Sequence, residues 1–191
     1  MDKHHRGAIP TSDQCHGLLK EYNVPDHIVR HSEVVRRVAV FLAGRLNGSG
    51  ENLSIEEIEA AALLHDITKM EGIEFRRDHA ETGRRLLAKL GFGRIGEIVG
   101  EHIRLKGGRE TLRIREAEIL NYSDKRVMHT EIVTLAERFA DLETRYGLKD
   151  SDTNTIERIK AGQKRAYELE GKIFSGLDFK PEELLRRMEV D

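Results

Sequence analysis

A histidine and an aspartate stand side by side in the middle of this 191-residue sequence, as His65 and Asp66. The residues before them are apolar, and His65 continues a stripe of helical period that includes Ile58. Neighbouring helical residues are about 100° apart, so both side chains can flank one point in space. An ionised aspartate is costly to bury without a partner. A divalent metal would be such a partner, because imidazole and carboxylate together suit transition metals.

Other polar residues also stand where the helical period predicts an apolar one. They are His31, His79, His102 and Asp124. Together with the His-Asp pair they come from five predicted helices, as a ligand cup between packed helices requires. Spacing alone leaves two interpretations open. The residues are either hydrogen-bonded histidines and acids at the edge of the core, or ligands of a metal whose spacing in sequence follows no tight rule.

The ordered set His31, His65–Asp66 and Asp124 resembles the H…HD…D signature of the HD-superfamily phosphohydrolases. The setting of the dipeptide reads AALLHDITK over residues 61–69, and it is very similar to the apolar-apolar-His-Asp form that this family uses. The resemblance covers about residues 18–146. It implies an all-α fold, namely an HD-domain helical bundle with a metal site between the helices.

Two more histidines extend the resemblance. His79 and His102 resemble the additional pair found in the dinuclear branch of the family. That branch includes diadenosine tetraphosphate hydrolases, cyclic-dinucleotide phosphodiesterases and the di-iron oxygenases related to them. After His102 the chain reads IRLKGG, without the next histidine and the Gly-Tyr-Pro extension of the cyclic-di-GMP phosphodiesterases. That substrate is therefore not predicted.

The resemblance implies a cofactor, a divalent metal with one or two ions per chain. The ligands of the first ion would be His31, His65, Asp66 and Asp124. The ligands of the second would be Asp66, as a bridge, together with His79 and His102. This donor set admits iron, manganese, cobalt, nickel or zinc. Two such ions would polarise a phosphoryl group and lower the pKa of a shared water, which would attack phosphorus as hydroxide.

The activity implied is hydrolysis of a phosphate ester or anhydride, by a phosphomonoesterase or phosphodiesterase, with a nucleotide or dinucleotide as substrate. Asp66 and Lys69 are the predicted catalytic residues. Lys69 lies one helical turn beyond His65, and the matching lysine in the family lies by the substrate phosphate. The alternative is a solvated cation near a helix C-terminus, where the helix dipole favours it.

Weaker candidates for phosphate contacts follow His102 in a charged turn. They are Arg104, Lys106 and Arg109, and Lys125 and Arg126 just past Asp124 are similar. A charged turn is more often simply solvated. Two other functions fit the same residues. One is a di-iron oxygenase on the same fold, and the other is a non-catalytic regulator that binds metal or nucleotide.

The elements that must position these residues are predicted to be helices throughout, because no segment alternates with period two. The predicted helices cover residues 11–22, 26–46, 54–68, 78–90, 93–102, 111–124, 131–146 and 155–174, with a short last helix after Pro181. Two capping boxes open helices, at Ser54 and Asp78. We predict a phosphohydrolase domain over residues 1–150 and a C-terminal helical extension over residues 151–191 that packs on it.

Composition limits the other function classes. Lys and Arg number 32 against 34 Asp and Glu, a net charge of −2, so no field of one sign indicates a nucleic-acid duplex or a membrane as partner. The single cysteine excludes an internal disulfide and a cysteine-based zinc site. No apolar run approaches a membrane span or a signal peptide. The expected protein is cytoplasmic and binds a small phosphorylated molecule, and a homo-oligomer is compatible with the sequence.

Overall fold

The computed structural model describes residues 8–107, 113–147 and 153–190, and these residues are mostly helical. The helices are α1 Ser12–Glu21, α2 Asp26–Gly48, α3 Ile55–Leu64, α4 Lys69–Phe75, α5 His79–Lys89, α6 Gly93–Val99, α7 Glu116–Lys125, α8 Leu135–Gly147, α9 Thr153–Phe174 and α10 Leu184–Val190. A 3₁₀ turn at Pro181–Glu183 precedes the last of them. Two short strands, β1 Val127–Met128 and β2 Glu131–Ile132, lie between α7 and α8. The all-α fold class is confirmed.

The prediction that the chain contains no strand is wrong at one place. Strands β1 and β2 pair antiparallel with Val127 opposite Ile132, and the turn between them includes His129, whose φ is 56°. Each strand has only two residues, which is too short for alternation to be visible in the sequence. The hairpin also replaces the predicted start of a helix at residue 131, because α8 begins at Leu135.

The predicted helix over residues 54–68 also differs from the structure. Helix α3 ends at Leu64, and a new helix, α4, which the apolar pattern does not predict, begins at Lys69. The intervening residues 65–68, here called the HD turn, are tightened by backbone hydrogen bonds from Ile67 to Leu64 and from Lys69 to Asp66. Hydrogen bonds between residues three apart, as in a 3₁₀ turn, end an α-helix without a change in the apolar pattern. The predicted helix over 111–124 starts later, at Glu116, and its first two residues lie outside the described part.

Helix α3 occupies the middle of the molecule. Its alanine- and leucine-rich half, residues 60–64, is buried on all sides, as expected for a helix that other helices surround. Helices α1, α2, α6 and α7 all pack against it. The N-terminus is capped by Ser54, whose hydroxyl accepts the backbone N–H of Glu57. The HD turn therefore begins inside the core rather than at the surface.

Helices α5 and α6 approach each other unusually closely. A methyl group added at Gly96 of α6 would lie 2.7 Å from the carbonyl oxygen of Arg84 in α5, so only glycine fits there. The backbone contact fixes the distance between the start of α5 and the end of α6. His79 is the first residue of α5 and His102 follows α6, so this crossing contributes to how near the two histidines come.

The C-terminal helices share the core of the rest of the chain. Leu169 and Ile173 of α9 belong to the same buried cluster as α3. The hydroxyl of Tyr122 in α7 donates a hydrogen bond of 2.6 Å to Oε2 of Glu170 in α9. The contacts between the two parts of the chain are those of one continuous core. They do not mark a boundary between residues 150 and 151, and that boundary stays a prediction.

Candidate metal centre

The six predicted ligand residues lie together between the helices, in two neighbouring groups. The first group consists of His31, His65 and Asp124, and the second consists of Asp66, His79 and His102. Within each group the three ligand atoms all lie within 4.8 Å of one another. The structure thus brings together residues from α2, the HD turn, α5, the segment after α6, and α7. That these residues bind metal stays a prediction.

The first group joins three elements that are far apart in sequence. Nε2 of His31 on α2 lies 3.2 Å from Oδ1 of Asp124 at the end of α7. Nε2 of His65 lies 3.6 Å from the same oxygen. One carboxylate oxygen is therefore shared between two imidazoles, and all three donor atoms point to one small space.

The second group lies on the other side of the HD turn. Oδ1 of Asp66 is 3.2 Å from Nε2 of His79 and 3.7 Å from Nε2 of His102. The two histidine nitrogens are 3.2 Å apart. Two imidazoles and one carboxylate again converge, and this donor set leaves coordination positions for water or substrate.

Asp66 stands between the two groups. Its Oδ1 faces the second group, while its Oδ2 lies 3.4 Å from Nε2 of His65 in the first. A carboxylate with one oxygen toward each group has the arrangement that a bridging ligand needs. The bridging role stays a prediction, but the geometry agrees with it.

Backbone carbonyls orient three of the four imidazoles. Nδ1 of His65 lies 2.8 Å from the carbonyl oxygen of Ala62, and Nδ1 of His102 lies 2.7 Å from that of Val99. Nδ1 of His31 lies 2.9 Å from the carbonyl oxygen of His129, in the hairpin turn. A proton held at Nδ1 by such a carbonyl leaves Nε2 free to act as a ligand. In all three residues, Nε2 is the atom that faces the groups.

The carbonyl of His129 is a contribution that sequence reasoning missed. It holds His31 from a residue 98 positions further along the chain. A backbone carbonyl has no side-chain signature, and the hairpin that places it is too short to recognise. No pattern in the sequence would have revealed it.

One buried atom indicates that the residues fit a cation. The side chain of His65 is fully buried, and its Nε2 has no hydrogen-bond partner. A buried polar atom without a partner costs about 1–3 kcal/mol. A cation among Asp66, Asp124 and His65 would give this nitrogen a partner, and the same cation would offset the charge of two carboxylates that are largely inaccessible.

The electrostatics of the site also favour positive charge. Burial alone would lower the pKa of His65, but the adjacent carboxylates of Asp66 and Asp124 raise it to about 10. Although burial favours the neutral acid, neighbouring histidines hold the pKa of both aspartates well below the usual range. Burial, together with the charge of His65, lowers the pKa of His102 to about 3. The site therefore contains ionised carboxylates and a neutral His102, which are the forms that bind metals, whereas His65 holds a proton that a metal ion would have to displace.

Lys69 lies at the edge of this site. Its Nζ is 2.6 Å from Oδ2 of Asp66, and the side chain is about one third exposed. Because α4 begins at this residue, a helix C-terminus is not what favours the ammonium, and the role of Lys69 at a substrate phosphate stays a prediction. His79 and Asp124 are also partly exposed, whereas His65 is sealed inside. The site thus opens to solvent on the side where the lysine lies.

The weaker candidates lie in different places. Arg104 and Lys106 are exposed in the segment after His102, and their role as phosphate contacts stays a prediction. Arg109 lies outside the described residues. Lys125 donates hydrogen bonds to the carbonyl oxygens of His102 and Asn121, so its ammonium already has partners.

Arg126 is turned away from a phosphate rim. Its side chain is buried and donates hydrogen bonds to the carbonyl oxygens of Val133 and Pro181. It also donates to the hydroxyl of Tyr122 and lies near Glu170. The expectation that Arg126 contacts a phosphate is therefore wrong. Its position one residue before the hairpin points it toward the C-terminal helices.

An all-helical bundle that gathers histidines and aspartates from several helices around a His-Asp turn has the architecture of an HD domain. The chain belongs to this family, because residues 28–142 match the family model described as HD domain. All six residues of the two groups lie within the matched part.

The chain is also similar to parts of two archaeal proteins. It is 35% identical over 98 residues to a tRNA (cytidine(56)-2′-O)-methyltransferase of Thermoplasma volcanium. It is 39% identical over 97 residues to the protein of that name in Picrophilus torridus. The matches cover 50% and 49% of this chain but only 26% of each relative, so the chain spans about a quarter of their length. No solved structure matches the chain. Among the described helices, none has the length and apolar character that crossing a membrane requires.

Proposed function

We propose that the chain is a metal-dependent phosphohydrolase that acts on a phosphate ester or anhydride of a small molecule, a nucleotide or dinucleotide. The observation that carries this proposal is the pair of adjoining groups, each with two imidazoles and one carboxylate, and Asp66 between them. When bound there, divalent metal would supply Lewis acidity to the phosphoryl group and lower the pKa of water. The HD-domain family, whose members are generally metal-dependent hydrolases, supports this proposal.

The residues of the chain would have separate roles in metal binding, ligand orientation and phosphate binding. The first and second groups hold the metal, and the carbonyls behind His31, His65 and His102 keep the rings in the binding orientation. Lys69, at the open side, is placed to attract the negative phosphate as a point charge. Phosphate that approaches this side would compete with Asp66 for the ammonium.

Metal analysis of the purified protein, followed by a hydrolysis screen, tests this proposal. The protein is loaded with Mn²⁺, Co²⁺, Ni²⁺, Zn²⁺ or Fe²⁺ and offered nucleoside phosphates, cyclic nucleotides and dinucleoside polyphosphates. We expect up to two metals per chain and release of phosphate or nucleotide from one class. Binding of nucleotide without any turnover would indicate a regulator instead.

The same screen separates the hydrolase from a di-iron oxygenase. An oxygenase consumes O₂ and needs iron, whereas a hydrolase works with redox-inert Zn²⁺. Oxygen consumption is followed with an electrode in parallel with phosphate release. Turnover that requires both iron and O₂ would contradict the proposed hydrolysis.

A phosphate ester on tRNA is a second candidate substrate. The observation in its favour is that both archaeal relatives are named for an activity on tRNA. Their methyl transfer belongs to proteins of which this chain covers about a quarter, and it is not carried over. The near-neutral net charge gives little electrostatic attraction to nucleic acid, so we rank this substrate below small nucleotides. RNA with a terminal or cyclic phosphate should be included in the screen.

We predict that Lys69→Met lowers kcat/KM about 10- to 100-fold without loss of metal, because one charged contact to phosphate contributes about 1.5–3 kcal/mol. Metal binding should be unchanged or tighter, since Asp66 loses a competing cation. Steady-state kinetics and metal titration measure the two effects. Lys20→Met, at an exposed position of α1, is the control. If kcat/KM stays unchanged in Lys69→Met, Lys69 has no substrate role.

A further inference from the structure

His79 differs from the other three imidazoles in how it is held. Carbonyls face Nδ1 of His31, His65 and His102. For His79, no hydrogen-bond partner of Nδ1 is found among the residues that the structure describes. Its side chain is also 23% exposed, which makes it the most accessible of the four. Apart from the contacts of its Nε2 with Asp66 and His102, the ring is therefore placed by what holds its backbone and its Cβ atom.

A hydroxyl of the HD turn holds the backbone of His79. Oγ1 of Thr68 donates a hydrogen bond of 2.9 Å to the carbonyl oxygen of His79. Oγ1 of Thr82 in turn donates to Oγ1 of Thr68, also at 2.9 Å. Thr68 is buried, so water competes little for these bonds. The two hydroxyls connect the turn that carries Asp66 to the first turn of α5.

A glycine of α4 holds the other side of His79. A Cβ atom added at Gly72 would lie 2.7 Å from Cβ of His79 and 3.1 Å from the carbonyl oxygen of Arg77. Both atoms belong to the chain near its backbone and cannot swing away. The loop is closed tightly, because the backbone N–H of Arg77 donates to the carbonyl oxygen of Gly72 at 2.9 Å. Only a residue without a side chain lets His79 come this near.

We propose that Thr68 and Gly72 are positioning residues for His79 and thereby set the spacing of the second group. The hydroxyl of Thr68 fixes the backbone carbonyl of His79. The absence of a side chain at Gly72 fixes how far the Cβ atom of His79 reaches toward Asp66 and His102. The consequence for metal binding rests on the proposed function, whereas the placement of the ring does not. The first group shares neither contact, so its geometry should be independent of both residues.

The experiment compares Gly72→Ala, Thr68→Val and Thr68→Ser with the wild-type protein. Gly44→Ala in α2 is the control for the glycine, because a methyl group there meets nothing within 4 Å. Thr144→Val in α8 is the control for the threonine, because its hydroxyl also bonds a backbone carbonyl, that of Ala140, at an exposed site. Circular dichroism establishes that each variant is folded.

The first measurement uses metal-free protein and the ring nitrogen signals of its histidines in NMR spectra. We expect the signals of His79 and His102 to move in Gly72→Ala and Thr68→Val, while those of His31 stay in place. Thr68→Ser keeps the hydroxyl and should give spectra like those of the wild type. Unchanged signals of His79 in both disruptive variants would overturn the proposal.

The second measurement is a titration with Co²⁺ followed by calorimetry and visible absorption. Loss of a group that orients a metal ligand typically weakens binding about 10- to 100-fold. We expect that loss for the second Co²⁺ only, with the first unchanged and Thr68→Ser restoring both. Equal weakening of both ions would indicate general destabilisation and overturn the proposal. If the wild-type protein binds no second Co²⁺ but the ring signals still move, the positioning stands and the two-metal part of the proposed function fails.

Discussion

We expect the substitution Asp66→Asn to abolish the proposed hydrolysis and to release metal from both groups. The two oxygens of Asp66 face His65 on one side and His79 on the other, at 3.4 and 3.2 Å. An amide of the same shape has no charge to hold a cation in either group. A bound metal contributes several kcal/mol to stabilising the transition state, so we expect kcat/KM to fall at least about a thousandfold. Metal analysis and kinetics on one preparation measure both losses.

Asp178→Asn is the matched control for this substitution. It makes the same chemical change at an exposed aspartate that pairs with Arg45 across 3.0 Å, where surface ion pairs contribute little. We expect it to keep full activity and metal content. If Asp66→Asn were as active as Asp178→Asn, the proposed centre would be wrong. Circular dichroism should show that both variants keep their helices.

We expect the removal of metal with a chelator to lower the unfolding temperature. A ligand that binds only the folded state contributes about 2.7 kcal/mol when its concentration is one hundred times its Kd. For a chain of this size, that corresponds to roughly 5–10 °C for each metal bound. The physical source is the charge of the buried Asp66 and of the partly exposed Asp124, together with the unpartnered Nε2 of His65. Thermal scans with chelator and with added Mn²⁺ measure the shift.

The same scans on Asp66→Asn provide the comparison. This variant lacks the carboxylate that faces both groups, so added Mn²⁺ should stabilise it much less than the wild type. A scan with added Mg²⁺ tests the donor set, since Mg²⁺ prefers oxygen ligands and should have a smaller effect. Identical unfolding temperatures of the wild type with chelator and with Mn²⁺ would contradict a metal-binding site in the folded protein.

The helices and the members of the site could be predicted from the sequence because both leave a periodic signal. Helix α2 shows an apolar stripe, and His31 appears as a polar interruption of it. His65 likewise interrupts an apolar stripe, and the resemblance then supplied the order of the set. Such interruptions are visible because burial is the rule at those positions.

The break between α3 and α4 could not be predicted, because Ile67 is as apolar as the helix before it. The chain turns there through hydrogen bonds between near neighbours, and those bonds leave no mark on composition. The contacts that position the imidazole rings could not be predicted for another reason. The carbonyl of His129 and the bare Cα of Gly72 act without a side chain of their own. They depend on packing between elements that are distant in sequence. The period of the apolar residues and the spacing of the polar ones do not encode such packing.

The two groups close over very different lengths of chain, and this affects how the protein assembles. The contact between His31 and Asp124 spans 93 residues, whereas His79 and His102 are only 23 apart. Contacts over short loops form faster, because less chain entropy is lost in closing them. A nascent chain that has reached residue 102 already contains every member of the second group but lacks Asp124. We therefore expect the second group to bind a cation earlier during synthesis, with the first group completed only when α7 has been made and packs on the core.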